Sequence, residues 1–231
     1  MRHRFVVGRD LVLSVDQARQ IASVLRCGRG DTITLLSDGE EIEYRLDRVS
    51  ASSIAGTVLG RRASDAEARV RLVLALPLLR GQHSELALES TTQLGVARFV
   101  PYTSSRSVAR GLSAEKRRRW ERIAREAVET SRRARLPEIG PVMRWPSLFE
   151  ELEGDILVAW EKERALRLAD ALPRASGAVS LVVGPEGGLS AEEVDLARSK
   201  GARVVSLGRR PLRAETAAIA AVAELVAALD R

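Results

Sequence analysis

Four apolar runs, VRLVLALPL (70–78), DILVAW (155–160), VSLVVG (179–184) and ARVVSLG (202–208), constrain this chain more than any other feature. None alternates strictly between apolar and polar residues. A strand that reads as continuously apolar is buried on both faces, which is how the strands of a parallel sheet are covered. Helix-period segments lie between the runs. SELALESTTQLG (84–95) closes at Gly95 as a C-cap, and in SAEEVDLARSKG (190–201) Ser190 and Glu193 form a capping box. ARFVPYTS (97–104) reads as a further strand. AEKRRRWERIAREAVETSRRARLP (114–137) reads as a helix with Trp120, Ile123, Ala124, Ala127 and Val128 on one face. Glu121–Arg125 and Glu129–Arg133 support it as i,i+4 pairs. Its arginine-rich remainder reads as a solvated face over most of its length. Alternating strands and helices predict an α/β domain with a mostly parallel sheet over residues 69–231.

The first 68 residues follow a different pattern. SVDQARQIASVLR (14–26) is a helix opened by a Ser14/Gln17 capping box, with Ile21, Val24 and Leu25 on one face. TITLLSDGEEIEYRLDRVS (32–50) is two strands joined through Asp38-Gly39, a strong hairpin signal, and SIAGTVLG (53–60) is another strand. Short strands at regular spacing predict a small β-barrel. RRASDAEAR (61–69) reads as the linker to the second domain.

The balance of 37 basic against 31 acidic residues, formally +6 at neutral pH, suits a polyanionic partner. Only Lys116, Lys162 and Lys200 are lysines, so the cations are overwhelmingly guanidinium groups, whose forks match phosphate oxygens. With Cys27 alone and only His3 and His83, neither an intrachain disulfide nor a zinc cluster is expected. The charged N-terminus lacks a signal-peptide core, and the longest apolar run, 217–229, is too short to span a bilayer. A soluble, cytoplasmic protein is expected.

Two loops follow strands and precede helices: LVVGPEGGLSAEE (181–193) and VVSLGRRPLRAETAA (204–218). In open α/β sheets ligands bind beyond the carboxyl ends of the strands. Gly184, Gly187 and Gly188 remove side chains, so a ligand can reach backbone N–H groups there. Neither loop matches the dinucleotide or P-loop glycine patterns, so a pyrophosphate site is not expected.

Together these loops resemble the two C-terminal signatures of the bacterial 16S ribosomal RNA uridine-N3 methyltransferases (RsmE type), members of the SPOUT superfamily. VLRCGRGDTITLLSDGEEIEY (24–44) resembles that family's PUA-like RNA-binding domain. SELALESTTQLGVARFVPYTSSRSV (84–108) and EAVETSRRARLPEIGPV (126–142) resemble its middle segments. The resemblance implies a PUA-like β-barrel over 1–68 and a deep trefoil-knotted methyltransferase domain over 69–231, paired as a homodimer. It implies S-adenosylmethionine as cofactor, held by Gly184, Glu186, Gly187, Gly188, Leu207, Gly208 and Leu212. The implied substrate is 16S ribosomal RNA within an assembled small subunit. The chain departs from the family's pattern at Ser90, Gln93 and Thr130, all outside the two loops.

Uridine N3–H is a weakly acidic imide, and methyl transfer to it requires the proton to leave while negative charge spreads onto the flanking carbonyls. Cations or N–H donors must meet that charge, and a base or water must take the proton. Arg213 is read as the electrostatic or orienting group. Glu215 is read as positioning Arg213, as receiving the proton, or as a carboxylate complementing the helix dipole. Arg2, Arg4, Arg26, Arg106, Arg110, Arg209 and Arg210 are the candidate RNA contacts. Aromatics make up only 3% of the chain, so binding leans on salt-sensitive phosphate contacts. Two alternatives stay open. One is a ribose 2′-O methyltransferase of the same superfamily. The other is a non-catalytic RNA-binding ribosome-assembly protein.

Overall fold

The computed structural model describes residues 3–109, 111–171 and 177–230. Arg2 and Arg110, both candidate RNA contacts, lie outside the described residues. The chain divides into two compact units, one of residues 1–67 with 128–136, the other of residues 68–127 with 137–231.

The first unit contains β1 (Arg4–Val6), α1 (Val15–Arg19), β2 (Thr32–Ser37), β3 (Glu40–Val49) and β4 (Ile54–Ala63). Ser14 caps α1 through the Gln17 N–H, and Gln17 returns a bond to the Ser14 N–H, the capping box read from the sequence. Asp38 and Gly39, both with positive φ, make the two-residue turn between β2 and β3. Phe5, Ile21, Ile33, Leu35, Ile42 and Leu46 fill the core. The strands run in the order β1-β2-β3-β4, with β1 parallel to β2 and the other pairs antiparallel. This is an open sheet rather than a closed barrel: among the described residues no pairing joins β4 to β1. A three-residue β1 is too short to close a ladder with the ten-residue β4, whose last seven residues are exposed. The linker also begins later than the sequence suggests. Arg61 and Arg62 stay in β4, where they pair with Glu40 and Glu41 across β3.

Residues 128–136 belong to this first unit, and buried polar groups hold them there. Arg133, 1% exposed, pairs with Glu67 at 3.0 Å, and the second Glu67 oxygen accepts the N–H groups of Ala134 and Arg135. Glu129 accepts the Val6 N–H. The helix α3 itself ends at Ser131, before Arg133.

The second unit is a seven-stranded parallel sheet. Its strands are β5 (Arg71–Pro77), β6 (Val96–Thr103), β7 (Glu138–Ile139), β8 (Met143–Arg144), β9 (Asp155–Ala159), β10 (Ala178–Val183) and β11 (Arg203–Val205), in the order β11-β9-β10-β5-β6-β7, with β8 also on β6. Alternate residues go to opposite faces, and both faces are covered. Leu72, Leu74, Leu76, Leu181 and Val183 meet α2 (His83–Gln93), the first part of α3 (Ala114–Ser131) and α6 (Ala214–Leu229) through Leu88, Trp120 and Val222. Val73, Ala75, Val158 and Val182 meet α4 (Trp145–Leu148) and α5 (Ala191–Ser199) through Trp145, Leu148 and Val194. Ser190 and Glu193 cap α5 reciprocally. The runs that read as doubly buried strands are β5, β9, β10 and β11, and they sit side by side in the middle and at one end of the sheet.

Candidate active site

Strands β9, β10 and β11 end together, and the loops that leave them enclose one cavity of about 860 Å³. That is the size of a small-molecule site. Residues 159–164 leave β9, residues 183–188 leave β10, and residues 207–217 run from β11 into α6. Gly184, Glu186, Gly187, Gly188, Leu207, Gly208, Arg209, Arg210, Leu212, Arg213 and Glu215 all line it. The two separate sequence loops thus form one wall-to-wall site.

The glycine loop is anchored from several sides. The buried Tyr102 hydroxyl donates to the Val183 carbonyl, the last residue before the loop. Burial, with Glu193 nearby, raises the Tyr102 phenol well above its ordinary range. Glu186, exposed, accepts the Arg80 backbone N–H at 2.8 Å, which ties the β10 loop to the loop after β5. Arg106 donates to the Gly187 carbonyl at 3.0 Å, so this candidate RNA contact also braces the loop. Trp160 donates its ring N–H to Leu189. Gly188 has φ +67°, and a Cβ there would lie 2.7 Å from Glu161 Oε1. Gly208 has φ +110°, a conformation side-chain-bearing residues rarely adopt.

The opposite wall is held by backbone bonds between two loops. Trp160 N–H donates to the Val205 carbonyl, Leu168 N–H to Ser206, and Ser206 N–H to Leu166. Residues 160–168 therefore clasp Ser206 just before the arginine-rich loop begins. Glu163 stiffens this clasp by accepting the N–H groups of Ala165 and Arg164 at 2.7 and 2.8 Å. These backbone bonds, the one from Ala165 foremost, hold its carboxyl below the usual range.

Charge is concentrated on the cavity. Arg80, Lys162, Arg164, Arg209, Arg210 and Arg213 face it with Glu161, Glu186 and Glu215. Arg213 is exposed and stands at the N-cap position of α6, and no side chain caps that helix end. The first-turn N–H groups of α6, together with its dipole, therefore point positive character at the cavity mouth. Glu215, 6% exposed, pairs with His83 Nδ1 at 3.0 Å. Among the described residues Glu215 pairs with this histidine from α2 rather than with Arg213. Sequence reading passed over His83, weighing it only as a metal ligand, and also passed over Trp160, Glu161 and Lys162. Applying the carboxyl-end rule to β9 as well as to β10 and β11 points to that second group.

Of the remaining candidate RNA contacts, Arg4 is in β1 and partly buried, Arg26 is exposed after α1 with φ +55°, and Arg209 and Arg210 are exposed on the cavity rim. Among the described residues no helix is long and apolar enough to cross a membrane.

A parallel α/β unit with a glycine loop and an arginine loop converging on one cavity at the carboxyl ends of its strands is a small-molecule-binding α/β protein. Residues 66–226 match the RNA methyltransferase domain family, and the chain belongs to that family. It is 31% identical to ribosomal RNA small subunit methyltransferase E of Mycobacterium bovis over 225 residues, covering 93% of this chain and 85% of that one. It is 29% identical to the Bacillus subtilis protein of the same name over 223 residues, 91% and 87% of the two chains. A crystal structure of a ribosomal RNA small subunit methyltransferase E from Neisseria gonorrhoeae bound to S-adenosyl methionine superposes with a TM-score of 0.86, 29% identity and 96% coverage of both chains.

The cavity fits that cofactor. Gly184, Gly187 and Gly188 line it with backbone, and Val183, Leu207, Leu212 and Ala217 supply apolar wall for an adenosine. The surplus of cations on its walls suits the cofactor's carboxylate.

Proposed function

We propose that the protein transfers a methyl group from S-adenosylmethionine to N3 of a uridine in 16S ribosomal RNA, forming 3-methyluridine in the small ribosomal subunit. The observation that carries this reading is the convergence of the glycine loop and RRPLRAET on one cavity. Relatives bearing the small-subunit methyltransferase name align along most of the chain. The bound cofactor supplies an electrophilic methyl group on a sulfonium.

The chain's residues do the rest. Gly184, Glu186, Gly187, Gly188, Leu207, Gly208 and Leu212 form the cofactor cradle. Arg213, with the N–H groups at the start of α6, meets the negative charge that develops on the uracil carbonyls. Glu215 fixes His83 by its Nδ1, which leaves Nε2 as the acceptor of the N3 proton; alternatively Glu215 receives the proton through an ordered water. Arg4, Arg26, Arg106, Arg209 and Arg210, with Arg2 and Arg110, hold phosphates. The target base is unpaired or flipped, since N3 is engaged in a Watson–Crick pair.

The same reading makes residues 1–68 a PUA-like RNA-binding unit and residues 69–231 a trefoil-knotted domain that pairs as a homodimer in the cytoplasm. The clasp of residues 160–168 around Ser206 supports a threaded chain.

The test uses small subunits from cells lacking the protein, incubated with it and labelled S-adenosylmethionine, with the modified nucleoside identified by mass spectrometry. 3-Methyluridine is expected, and a 2′-O-methylated nucleoside overturns the reading. Arg213→Ala is expected to cut kcat about 10²- to 10³-fold, as loss of a preorganised charge does, with cofactor Kd nearly unchanged. Equal loss of both makes Arg213 structural.

A further inference from the structure

A second cavity of about 690 Å³ lies between the start of α2 and the first half of α3. Its floor holds Glu85, which is 7% exposed. Glu85 Oε2 is buried without a hydrogen-bond partner among the described residues. Arg119 Nε approaches the other oxygen only to 3.9 Å, an ion pair but not a hydrogen bond. Lys116, Arg118 and Arg122 stand around the opening, with Glu115 as the one further carboxylate. Ser113 also lines it, its hydroxyl accepting the Lys116 N–H.

A carboxylate in the first turn of a helix complements the dipole, but that benefit needs no burial. Sinking it under a ring of cations while leaving an oxygen without a donor costs stability, and such a group calls for a ligand that brings the donor. The ligand must also carry an anion for the cations. An acidic peptide brings carboxylates together with backbone N–H donors, but the chain's basic balance and its membership of an RNA methyltransferase family favour a nucleic acid here. A ribonucleotide brings both parts at once: a phosphate, and a 2′-hydroxyl that donates.

Position supports this. Arg80 and His83 face the first cavity, while Gly81, Gln82 and Glu85 face the second, so the N-terminal turn of α2 is the ridge between them. A strand with its target base in the first cavity crosses that ridge and lays a flanking nucleotide in the second. We propose that this groove seats a ribonucleotide flanking the methylated uridine, with its phosphate on Lys116, Arg118 and Arg122 and its 2′-hydroxyl donating to Glu85. The proposal rests on the RNA-methyltransferase reading above.

The test measures binding of a short single-stranded RNA and of DNA of the same sequence to the full chain, across a salt series. Glu85→Met removes the acceptor and is expected to lower RNA affinity about tenfold, the loss of one hydrogen bond to a charged group. DNA affinity is expected to hold, because the 2′-hydroxyl is what distinguishes the two. Glu85→Gln keeps an acceptor oxygen and retains part of the preference. Both variants are expected to melt near the wild-type temperature, because losing an oxygen without a donor offsets losing the ion pair with Arg119 and the charge at the start of α2. Lys116→Ala with Arg122→Ala is expected to weaken RNA and DNA alike and to lower the salt slope by about two.

If Glu85→Met binds RNA and DNA as wild type does, or loses both in proportion to a lowered melting temperature, the groove is structural and the proposal fails. The two readings fail separately. Wild-type KM for small subunits in Glu85→Met with 3-methyluridine still formed refutes the groove alone. Absence of 3-methyluridine with a Glu85-dependent RNA preference refutes the reaction alone.

Discussion

Gly188 exposes the glycine loop after β10 to a single perturbation. Its φ of +67° places it in the left-handed region, and a Cβ added there would meet Glu161 Oε1 at 2.7 Å and Cδ at 3.3 Å. Two costs follow for Gly188→Ala. Holding alanine in the left-handed region costs about 1–2 kcal/mol. The contact with Glu161 is with the far end of an exposed, flexible side chain, which can swing into solvent, so its cost is small by comparison. Backbone strain therefore dominates. The loop relieves it by leaving the geometry held by the Gly188 N–H to Pro185 carbonyl bond of 2.8 Å, which is the geometry in which it lines the cavity. If all the strain is released when the loop relaxes, S-adenosylmethionine binding weakens by the same 1–2 kcal/mol, about 5- to 30-fold in Kd. Titration calorimetry measures this directly. The double variant Glu161→Ala/Gly188→Ala separates the two costs. It is expected to bind as weakly as Gly188→Ala corrected for any effect of Glu161→Ala alone. Recovery of wild-type affinity in the double variant would refute the strain argument and make the steric contact responsible. Unchanged affinity in Gly188→Ala would show that the left-handed residue is not what shapes the cofactor loop.

Two further substitutions test the supports of the site. Tyr102→Phe leaves the Val183 carbonyl without its donor, and a loss of about 1–3 kcal/mol is expected by chemical denaturation. Because burial raises the Tyr102 phenol, the folded protein keeps that proton longer than the unfolded chain. The resulting stabilisation is full below about pH 10 and falls as pH rises above it, and Tyr102→Phe is expected to flatten that alkaline loss. Glu163→Gln weakens the clasp around Ser206. Because the Glu163 carboxyl is held low, its contribution is full above the ordinary carboxylate range near pH 4.3 and vanishes as pH falls through its depressed value. The melting difference between wild type and Glu163→Gln is expected to close over that acidic window, and a difference that is constant with pH refutes the role.

The parallel sheet was legible because burial on both faces writes itself as uninterrupted apolar runs, and β5, β9, β10 and β11 are those runs. Capping boxes at Ser14 and Ser190 and the Asp38-Gly39 turn were legible because each is a local bond between residues a few positions apart. The barrel was not, because closure depends on whether one particular strand finds another. A three-residue β1 carries no sequence mark of that failure. The return of residues 128–136 to the first unit was equally hidden. It depends on a buried bond from Glu67 to Arg133 across 66 positions, and Glu67 sits in a stretch whose polarity reads as linker.

The site divides along the same line. The glycine and arginine loops announce themselves by composition, but their convergence is a property of strand order: β10 and β11 both flank β9, so the three loops share one end of the sheet. The same logic explains why His83 escaped notice. It belongs to α2, which follows β5, and it reaches Glu215 only because α2 and α6 cover the same face of the sheet. The charge at the start of α6 then has a physical reason. A helix made apolar enough to bury along its length must still end somewhere, and its uncapped N-terminus, with Arg213 at the cap, ends at the cavity. Arginines beside that terminus repel one another and the helix dipole unless an anion sits among them. Glu215 in the first turn offsets part of this, and the exposed Arg209, Arg210 and Arg213 leave a cationic rim where three loops meet, which favours an anion there. The prediction is direct: inorganic sulfate is expected to raise the melting temperature more than chloride at equal ionic strength, and less so in Arg209→Ala/Arg210→Ala/Arg213→Ala. An equal sulfate effect in the two proteins would place the anion elsewhere.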